Sequence, residues 1–306
     1  MAKIISASRR TDIPRYFARF FAERRKAGYV EFRNAFGGKG SVSLRDEDVF
    51  GYLFWTRLAR PFDNNLCALH DDGIPHVFQY TITGYGRDLE PCTPGMVTAI
   101  EDFRSVSARL PDPACIQWRY DPIILSETYG VGWHVKNFGR LAGELAGATR
   151  VVNTSLIEPY QKAIRRVADA TVHYREIDPS RHKAAAKKHP DLLQAGESAH
   201  RLLKELSEIA SEHGMELRAC SNPELALPFS QCCSAELFAP YGEPLKRELG
   251  NLSLRPSRES CHCLETVDIG MDNTCLAGCK YCYVLVSHQT AVNNFKRHDP
   301  RDVSLR

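Results

Sequence analysis

The sequence lacks the features that mark several common protein classes. No run approaches about 18 apolar residues, which argues against a membrane-spanning helix. The N-terminus has no apolar stretch of signal-peptide type, so we expect a cytoplasmic protein with no membrane partner. The net charge is only +3, which permits an anionic substrate and does not demand nucleic acid. No Gly-x-Gly-x-x-Gly follows the first predicted strand, and no His-x-x-x-His pair lies on a predicted helix, so a dinucleotide-binding fold and a paired-histidine site have no support.

Within its 306 residues the sequence does show a regular alternation of strand and helix patterns. We predict strands at 3–8, 29–33, 52–57, 76–83, 115–121, 150–156, 215–220 and 266–269. Helices are predicted at 14–27, 94–110, 133–145 and 191–213, with two more beginning at Pro61 and Tyr160. Alternation of this kind is typical of βαβ units and a parallel sheet. Because there are more than six such strands, we predict an α/β fold of the TIM-like (β/α) barrel type rather than a doubly wound sheet.

The chain organisation follows from this pattern. We expect residues 1–260 to form the barrel body, and residues 261–306 to supply the last strand, a cysteine-rich loop and a C-terminal tail, packed on the barrel as one unit. The glycines at 37–40 lack the spacing of a phosphate-binding loop and predict a hairpin. A charged, alanine-rich segment at 174–190 is predicted to be flexible.

Cysteines are concentrated near the end of the chain. Of the 11 cysteines, Cys261, Cys263, Cys275, Cys279 and Cys282 lie close together, and the last three have the spacing Cys-x3-Cys-x2-Cys. In a cytosolic chain this points to metal or redox chemistry rather than a disulfide framework. Thiolates bind soft metals and hold the irons of iron–sulfur clusters. Three thiolates at this spacing can reach three corners of a [4Fe–4S] cluster and leave the fourth iron open, while Gly278 permits a positive φ beside it.

The same cysteines allow a second interpretation. Together they could form a closed four-thiolate zinc site that only staples the C-terminus. The spacing favours iron–sulfur, since Cys-x2-Cys pairs are the commoner zinc spacing. Cys261 and Cys263 have three possible roles: a fourth ligand, an auxiliary redox pair, or two thiols without a metal.

At Cys275, Cys279, Tyr281 and Cys282 the sequence resembles the radical S-adenosylmethionine superfamily, whose signature is Cys-x3-Cys-x-aromatic-Cys. Residues 274–283 are especially similar to the spore photoproduct lyase and DNA repair photolyase branch. From the segment 4–12 to the segment 118–123, the chain instead resembles an uncharacterised bacterial family that carries a radical-SAM-like cysteine cluster at its C-terminus. That likeness spans nearly the whole chain and implies a fold and a cluster, but no substrate.

The resemblance implies a cofactor set. Cys275, Cys279 and Cys282 would hold a [4Fe–4S] cluster whose open iron chelates S-adenosylmethionine, and one electron from a donor such as flavodoxin or ferredoxin would cleave that cofactor to start radical chemistry. Gly278 and Tyr281 would lie against the cluster or the cofactor, and Trp118 could stack on the adenine, although core packing suits it equally. Two features depart from the superfamily. The cysteine loop lies near the end of the chain instead of its start, and no Gly-Gly-Glu-type segment is present.

Further candidates lie where predicted strands end, because barrel enzymes place their chemistry at the C-terminal ends of strands. These positions carry Arg9, Arg10, Asp12, Arg119 and Asp121. The arginines could bind a carboxylate or phosphate, or form ion pairs with the two aspartates. Asp121 could accept a proton or serve in a turn. The cysteine loop follows the last strand and so falls on the same rim, which suggests a barrel circularly permuted relative to radical SAM barrels.

These observations predict an iron–sulfur protein, a radical SAM-type enzyme acting on an unknown small molecule, for which the charge permits an anionic substrate. One alternative is a lesion-repair enzyme of photolyase-like radical SAM type, with nucleic acid as partner. Another is a metal-stapled barrel without catalysis, or an electron-transfer protein.

Overall fold

A computed structural model of the chain describes residues 2–33, 37–158, 160–167, 172–173, 195–220, 225–254 and 261–305. The strands are β1 (Lys3–Ala7), β2 (Tyr29–Arg33), β3 (Lys39–Ser43), β4 (Val49–Thr56), β5 (His76–Thr81), β6 (Ile116–Arg119), β7 (Leu125–Ser126), β8 (Val151–Thr154), β9 (Val172–His173), β10 (Glu216–Ala219) and β11 (Val267–Asp268). The α-helices span Ile13–Tyr16, Ala18–Ala27, Asp63–Asp71, Met96–Ser107, Val131–Leu145, Gln161–Val167, Ala195–Glu212, Ala235–Phe238, Glu243–Gly250 and His288–Arg297. Of the helices in these ranges, none combines the length and apolarity needed to cross a bilayer.

The centre of the molecule is a parallel sheet of seven strands in the order β10-β8-β6-β5-β4-β1-β11. Neighbouring strands in this order follow one another along the chain, except that β11 pairs with β1, with Ile5 opposite Val267. The predicted α/β fold with a parallel sheet is therefore confirmed. Among the described residues no ladder joins β10 to β11, so the hydrogen bonds seen here form an open sheet and not a closed TIM barrel.

The core lies between the sheet and its helices. On helix Val131–Leu145 the buried side chains recur every three or four residues, so that one face meets the sheet: His134, Asn137, Phe138, Leu141, Ala142 and Leu145. Phe138 stacks on Trp118 with ring centroids 4.9 Å apart. Trp118 is fully buried, and its indole N–H donates to the Ile82 carbonyl over 2.9 Å. Of the two roles considered for Trp118, stacking on adenine and core packing, the structure shows core packing.

Some predicted elements have a different form. Strand β2 pairs with β3 as an antiparallel hairpin outside the central sheet, which confirms the predicted turn but not a place for β2 in the barrel. The helix predicted over 14–27 is two helices that meet at Phe17. Between the strands predicted at 215–220 and 266–269 no element is predicted, but the structure has the helices Ala235–Phe238 and Glu243–Gly250 there. The segment predicted to be flexible, 174–190, lies outside the described residues.

A buried chain of polar groups joins helix Val131–Leu145 to the strand ends. His134 Nε2 lies 3.0 Å from the Ile124 carbonyl, and its Nδ1 lies 2.8 Å from the Tyr120 hydroxyl. Since the carbonyl can only accept, the neutral ring carries its proton on Nε2 and Nδ1 accepts from Tyr120. Asn137 donates in turn to the Tyr120 hydroxyl and to the Thr83 carbonyl. Burial lowers the pKa of His134 to about 4, so this arrangement depends on an uncharged imidazole.

Candidate functional site

The cysteine loop lies at the C-terminal end of β11 and leads into helix His288–Arg297, whose N-cap is Ser287. Cys279 is buried, and Cys275 and Cys282 are partly exposed. All three sulfurs are close enough to influence one another electrostatically. The structure therefore brings together the three cysteines that the sequence motif singled out.

Backbone amides point at two of these sulfurs. The N–H groups of Asp12 and Ala277 donate to Cys275, and those of Val284 and Leu285 donate to Cys282. Burial raises the pKa of both thiols, so without a metal they are protonated. Donors aimed at sulfur stabilise the thiolate form and tune the potential of iron–sulfur centres. The amides therefore favour the thiolate form of both side chains, which is the form that binds metals.

Gly278 has the positive φ, +67°, that was predicted for it. A Cβ at this position would lie 3.1 Å from the His288 ring and 3.3 Å from Pro91, which is closer than most side-chain contacts. His288 also lies 3.0 Å from the Leu276 carbonyl through its Nε2. Glycine is needed here both for the left-handed turn and for the close approach of the next helix.

Arg166, on helix Gln161–Val167, holds the loop from outside. Its Nε donates to the Lys280 carbonyl over 2.9 Å, and its terminal nitrogens donate to the carbonyls of Cys282, Leu285 and Val286. One guanidinium thereby satisfies four loop carbonyls and places a positive charge near Cys282 and Cys279. Sequence reasoning missed Arg166, because only its position in three dimensions distinguishes it from an ordinary helix arginine.

Tyr281, the aromatic residue of the motif, is anchored by a buried ion pair. Arg57 lies 3.0 Å from both Glu90 carboxylate oxygens, and Arg57 and Glu90 both bond to the Tyr281 hydroxyl. Thr83 donates to the same carboxylate over 2.6 Å. Burial disfavours a charged guanidinium, but the adjacent Glu90 charge holds the pKa of Arg57 well above its ordinary value. The motif tyrosine is thus part of a rigid network, and Glu90 was not predicted.

Arg10 and Asp12 have roles within the fold. Arg10 is 3.3 Å from both Asp268 and Asp272 and donates to the Arg33 and Gly270 carbonyls, so it binds the start of the cysteine loop to β1. Asp12 accepts from Thr56 and from the backbone amides of Arg57 and Arg15. Burial raises the pKa of Asp12 to about 6. Arg10 therefore positions the loop, whereas Asp12 joins the start of helix Ile13–Tyr16 to the end of β4.

The start of the loop needs a glycine. A Cβ on Gly270 would lie 1.9 Å from Ser8 Oγ and 2.5 Å from its Cβ. Ser8 cannot move freely, because its hydroxyl donates to Asp268 over 2.6 Å and accepts from the Arg10 amide. The loop and the end of β1 are therefore in direct backbone-to-side-chain contact.

We expect Gly270→Ala to lower the free energy of unfolding by about 1–3 kcal/mol, since the extra methyl overpacks this contact. Urea denaturation measures the change. Gly132→Ala is the matched control, because nothing lies within 4 Å of a Cβ at that helical position, and it should not destabilise the protein. In a Ser8→Gly background the Gly270→Ala cost should shrink. An equal cost in both backgrounds would show that the Ser8 contact is not its cause.

Arg119 lies in a polar layer on the sheet. It forms an ion pair with Asp121, which also accepts from Ser155, and its guanidinium lies over the Trp55 ring at 4.9 Å. Arg9 is more open: its side chain is 34% exposed, and it lies 3.8 Å from Asp268. Of the predicted arginines, Arg9 is therefore the best placed to meet a ligand. Arg119 is buried and meets Asp121, as the ion-pair interpretation anticipated.

The polar layer continues across three strands through amides that sequence reasoning did not select. Gln79 donates to Gln117 over 2.6 Å, and Asn153 donates to Gln117 over 2.7 Å and to Gln79 over 3.0 Å. All three are buried. Successive side chains of a strand point to opposite faces of the sheet, so one set packs against the helices and the other forms this layer. That alternation is the sequence signal that could have identified the three amides.

Four cysteines gather beside this layer. Side-chain hydrogen bonds join Cys232 to Cys220 and Cys263, and Cys263 to Cys261. Arg119 donates to the Cys232 sulfur over 3.1 Å. Hydrogen bonds from Cys220 and Cys263, with the Arg119 charge, hold the pKa of Cys232 well below its ordinary value despite burial. The structure thus places Cys261 and Cys263 with two cysteines that sequence reasoning left unassigned.

All eleven cysteines are in the described ranges, and none forms a disulfide. Within those same ranges, no group of three or more His, Cys, Asp or Glu side chains is arranged to hold a metal ion.

Comparison with known proteins gives one extensive match. A family model described as "Domain of unknown function (DUF1848)" matches residues 4–284. No curated protein matches the chain. A crystal structure of a triazine hydrolase variant aligns with 64% of this chain at 11% identity and a TM-score of 0.28, and the alignment spans 43% of that protein. A similarity this weak carries no argument about fold or function.

Proposed function

The chain belongs to the DUF1848 family, and from that premise we propose that it is an iron–sulfur enzyme of the radical S-adenosylmethionine type. The observation that carries the proposal is the loop of Cys275, Cys279 and Cys282 at the C-terminal end of a parallel strand, with backbone amides donating to two of its sulfurs. A cluster held by these three thiolates would supply an electron to bound S-adenosylmethionine.

The finer fold in this proposal is a circularly permuted partial barrel. Starting from β11, the sheet order is β11-β1-β4-β5-β6-β8-β10. From β1 to β10 this is also the order of these strands along the chain, with a helix between successive strands. In this order β11, its cysteine loop and helix His288–Arg297 form the first βα unit. A cysteine loop after the first strand is the arrangement that the superfamily resemblance implies, which is why the permutation supports the proposal.

The residues of this chain would do three things in such an enzyme. Arg166 and Arg10 hold the two ends of the loop, and the Arg57–Glu90 pair fixes the motif tyrosine, so the loop is preorganised. The buried Cys279 keeps solvent from one ligand position. Arg9, whose side chain is 34% exposed, presents positive charge on the rim where an anionic substrate would bind. A flavodoxin-like or ferredoxin-like electron donor is part of the proposal.

Protein purified without oxygen tests the proposal. We expect iron and sulfide in the loop cluster, about four of each, and a reduced-state EPR signal that changes when S-adenosylmethionine is added, because an open iron can bind the cofactor. A Cys279→Ser variant should lose the cofactor-sensitive signal, and Cys67→Ser, in helix Asp63–Asp71, is the matched control. Zinc in place of iron, or a signal that the cofactor leaves unchanged, would sink the proposal.

A further inference from the structure

Two segments that are far apart in the sequence lie side by side at the polar layer of the sheet. The Leu264 amide donates to the Cys233 carbonyl over 3.0 Å, and the residues just before these two are Cys263 and Cys232. The Cys232 carbonyl accepts in turn from Gln79 of β5 over 3.0 Å, which fixes the pair of segments to the sheet. Backbone contacts therefore hold Cys263 and Cys232 next to each other.

The thiols of Cys232 and Cys263 are in direct contact. A hydrogen bond joins the two sulfurs, and neither forms a disulfide in this structure. Cys232 is only 5% exposed, whereas Cys263 is partly exposed. Cys220 bonds to Cys232 and Cys261 bonds to Cys263, so the four sulfurs form a chain with this contact at its centre. Sulfurs that already touch can form a disulfide with little movement of the backbone.

The surroundings of Cys232 favour its reactive form. The Arg119 guanidinium donates to the Cys232 sulfur over 3.1 Å, and a positive charge beside a cysteine stabilises the thiolate, which is the nucleophile. Arg119 also pairs with Asp121, so the guanidinium keeps a partner when oxidation removes the charge of Cys232. Cys232 is thus placed to attack an oxidant, and Cys263 is placed to attack the oxidised sulfur.

We propose that Cys232 and Cys263 are a peroxide-reactive dithiol that closes reversibly to a disulfide. The Cys232 thiolate attacks one oxygen of hydrogen peroxide, the O–O bond breaks, and Cys232 becomes a sulfenic acid while hydroxide leaves. The Cys263 sulfur then attacks the Cys232 sulfur, the S–O bond breaks, and the Cys263 proton leaves with that oxygen as water. The hydroxide takes up the proton that Cys232 had lost. Overall the two thiols lose two electrons, and peroxide is reduced to two waters.

The disulfide would constrain the segment before β11. It would close a covalent ring over residues 232–263, and so tie the segment that leads into β11 and the cysteine loop to the polar layer of the sheet. Such a bond restricts the unfolded chain, so oxidation should stabilise the start of the loop against unfolding, and a small-molecule thiol should reverse the effect. Of the roles considered for Cys263, this one is a redox pair, with Cys232 and not Cys261 as its partner.

Peptide mapping tests this inference separately from the loop. Protein purified without oxygen is treated with hydrogen peroxide, alkylated in denaturant and digested at Lys, Arg and Asp. This digestion separates peptide 219–246, which holds Cys232, from peptide 259–267, which holds Cys263 but none of the loop cysteines. We expect mass spectrometry to find these two peptides linked by a disulfide that dithiothreitol opens. Cys232→Ser and Cys263→Ser should each abolish the link.

Matched variants keep the test specific. Cys233→Ala removes the buried neighbour of Cys232 and should leave the link unchanged, as should a loop variant, Cys275→Ala/Cys279→Ala/Cys282→Ala, because the dithiol does not depend on the loop. If Cys232→Ser does not fold by circular dichroism, Cys263→Ser, which changes a partly exposed thiol, decides the test alone.

Three outcomes overturn the inference. One is a wild-type protein in which peroxide produces no link between the two peptides. Another is a link that survives in Cys263→Ser, which would make a different thiol the partner. The third is a bond within peptide 219–246, between Cys220 and Cys232, in place of the expected link.

Discussion

Replacing Arg57 with methionine is expected to lower the free energy of unfolding by about 3–5 kcal/mol. The Glu90 side chain is only 3% exposed, so without its partner it becomes an uncompensated buried carboxylate. Methionine keeps most of the volume of arginine, which limits the loss of packing. Equilibrium urea denaturation measures the change, and the loss of Tyr281 anchoring should accompany it.

The double variant Arg57→Met/Glu90→Gln separates loss of the pair from loss of packing. Its cost should be clearly smaller than the sum of the single costs, because neither charge is then left alone. Arg109→Met is the matched control: its partner Asp63 is 46% exposed at a distance of 2.8 Å, and removing such a surface pair should cost less than about 1 kcal/mol. Equal costs for Arg57→Met and Arg109→Met would contradict the prediction.

Lowering the pH from 7 to 5 is expected to cost the protein about 2 kcal/mol of stability through His134 alone. The folded protein holds the pKa of His134 at about 4, below its ordinary value of 6.5. The unfolded chain therefore binds a proton first as the pH falls. The stability that the neutral His134 contributes is fully present above pH 6.5 and is lost as the pH falls toward about 4. Burial is the cause, because a charged ring would lose its water.

The measurement is urea denaturation at several pH values for the wild type and His134→Gln. We expect the variant to be less stable at pH 7 but to lose less on acidification, since it has no imidazole at this position. His76, whose pKa burial also lowers, is unchanged in both proteins, so its effect cancels. Parallel stability curves for the two proteins would rule His134 out as the titrating group.

The parallel sheet could be predicted because its strands are short apolar runs separated by helical periodicity. Strand β4 illustrates this, since nearly all of its residues are buried. Strand β2 was harder to place. Its residues alternate between exposed and buried, which is typical of a strand with one solvated face and fits its place in a hairpin. That alternation was the sequence signal that separates it from the central strands.

The candidate site could be predicted only as far as local spacing reaches. Cys275, Cys279 and Cys282 lie within one loop, so their spacing alone brings them together. Arg166 lies more than a hundred residues before the carbonyls that it binds, and no periodicity connects them. The same is true of Cys220 and Cys232, which meet Cys263 only because the fold brings three distant parts of the chain together. Contacts of this kind depend on topology and not on composition.

The pairing of β1 with β11 has a consequence for synthesis on the ribosome. The Ser6 hydroxyl donates to Asp268, 262 positions later, and the β1 edge pairs with β11. Neither contact can form until the end of the chain has been synthesised. During translation β1 therefore carries an open edge while the rest of the sheet is being made, and such an edge is a template for pairing with other chains. The charged end of β1, at Arg9 and Arg10, limits that hazard until the last strand emerges.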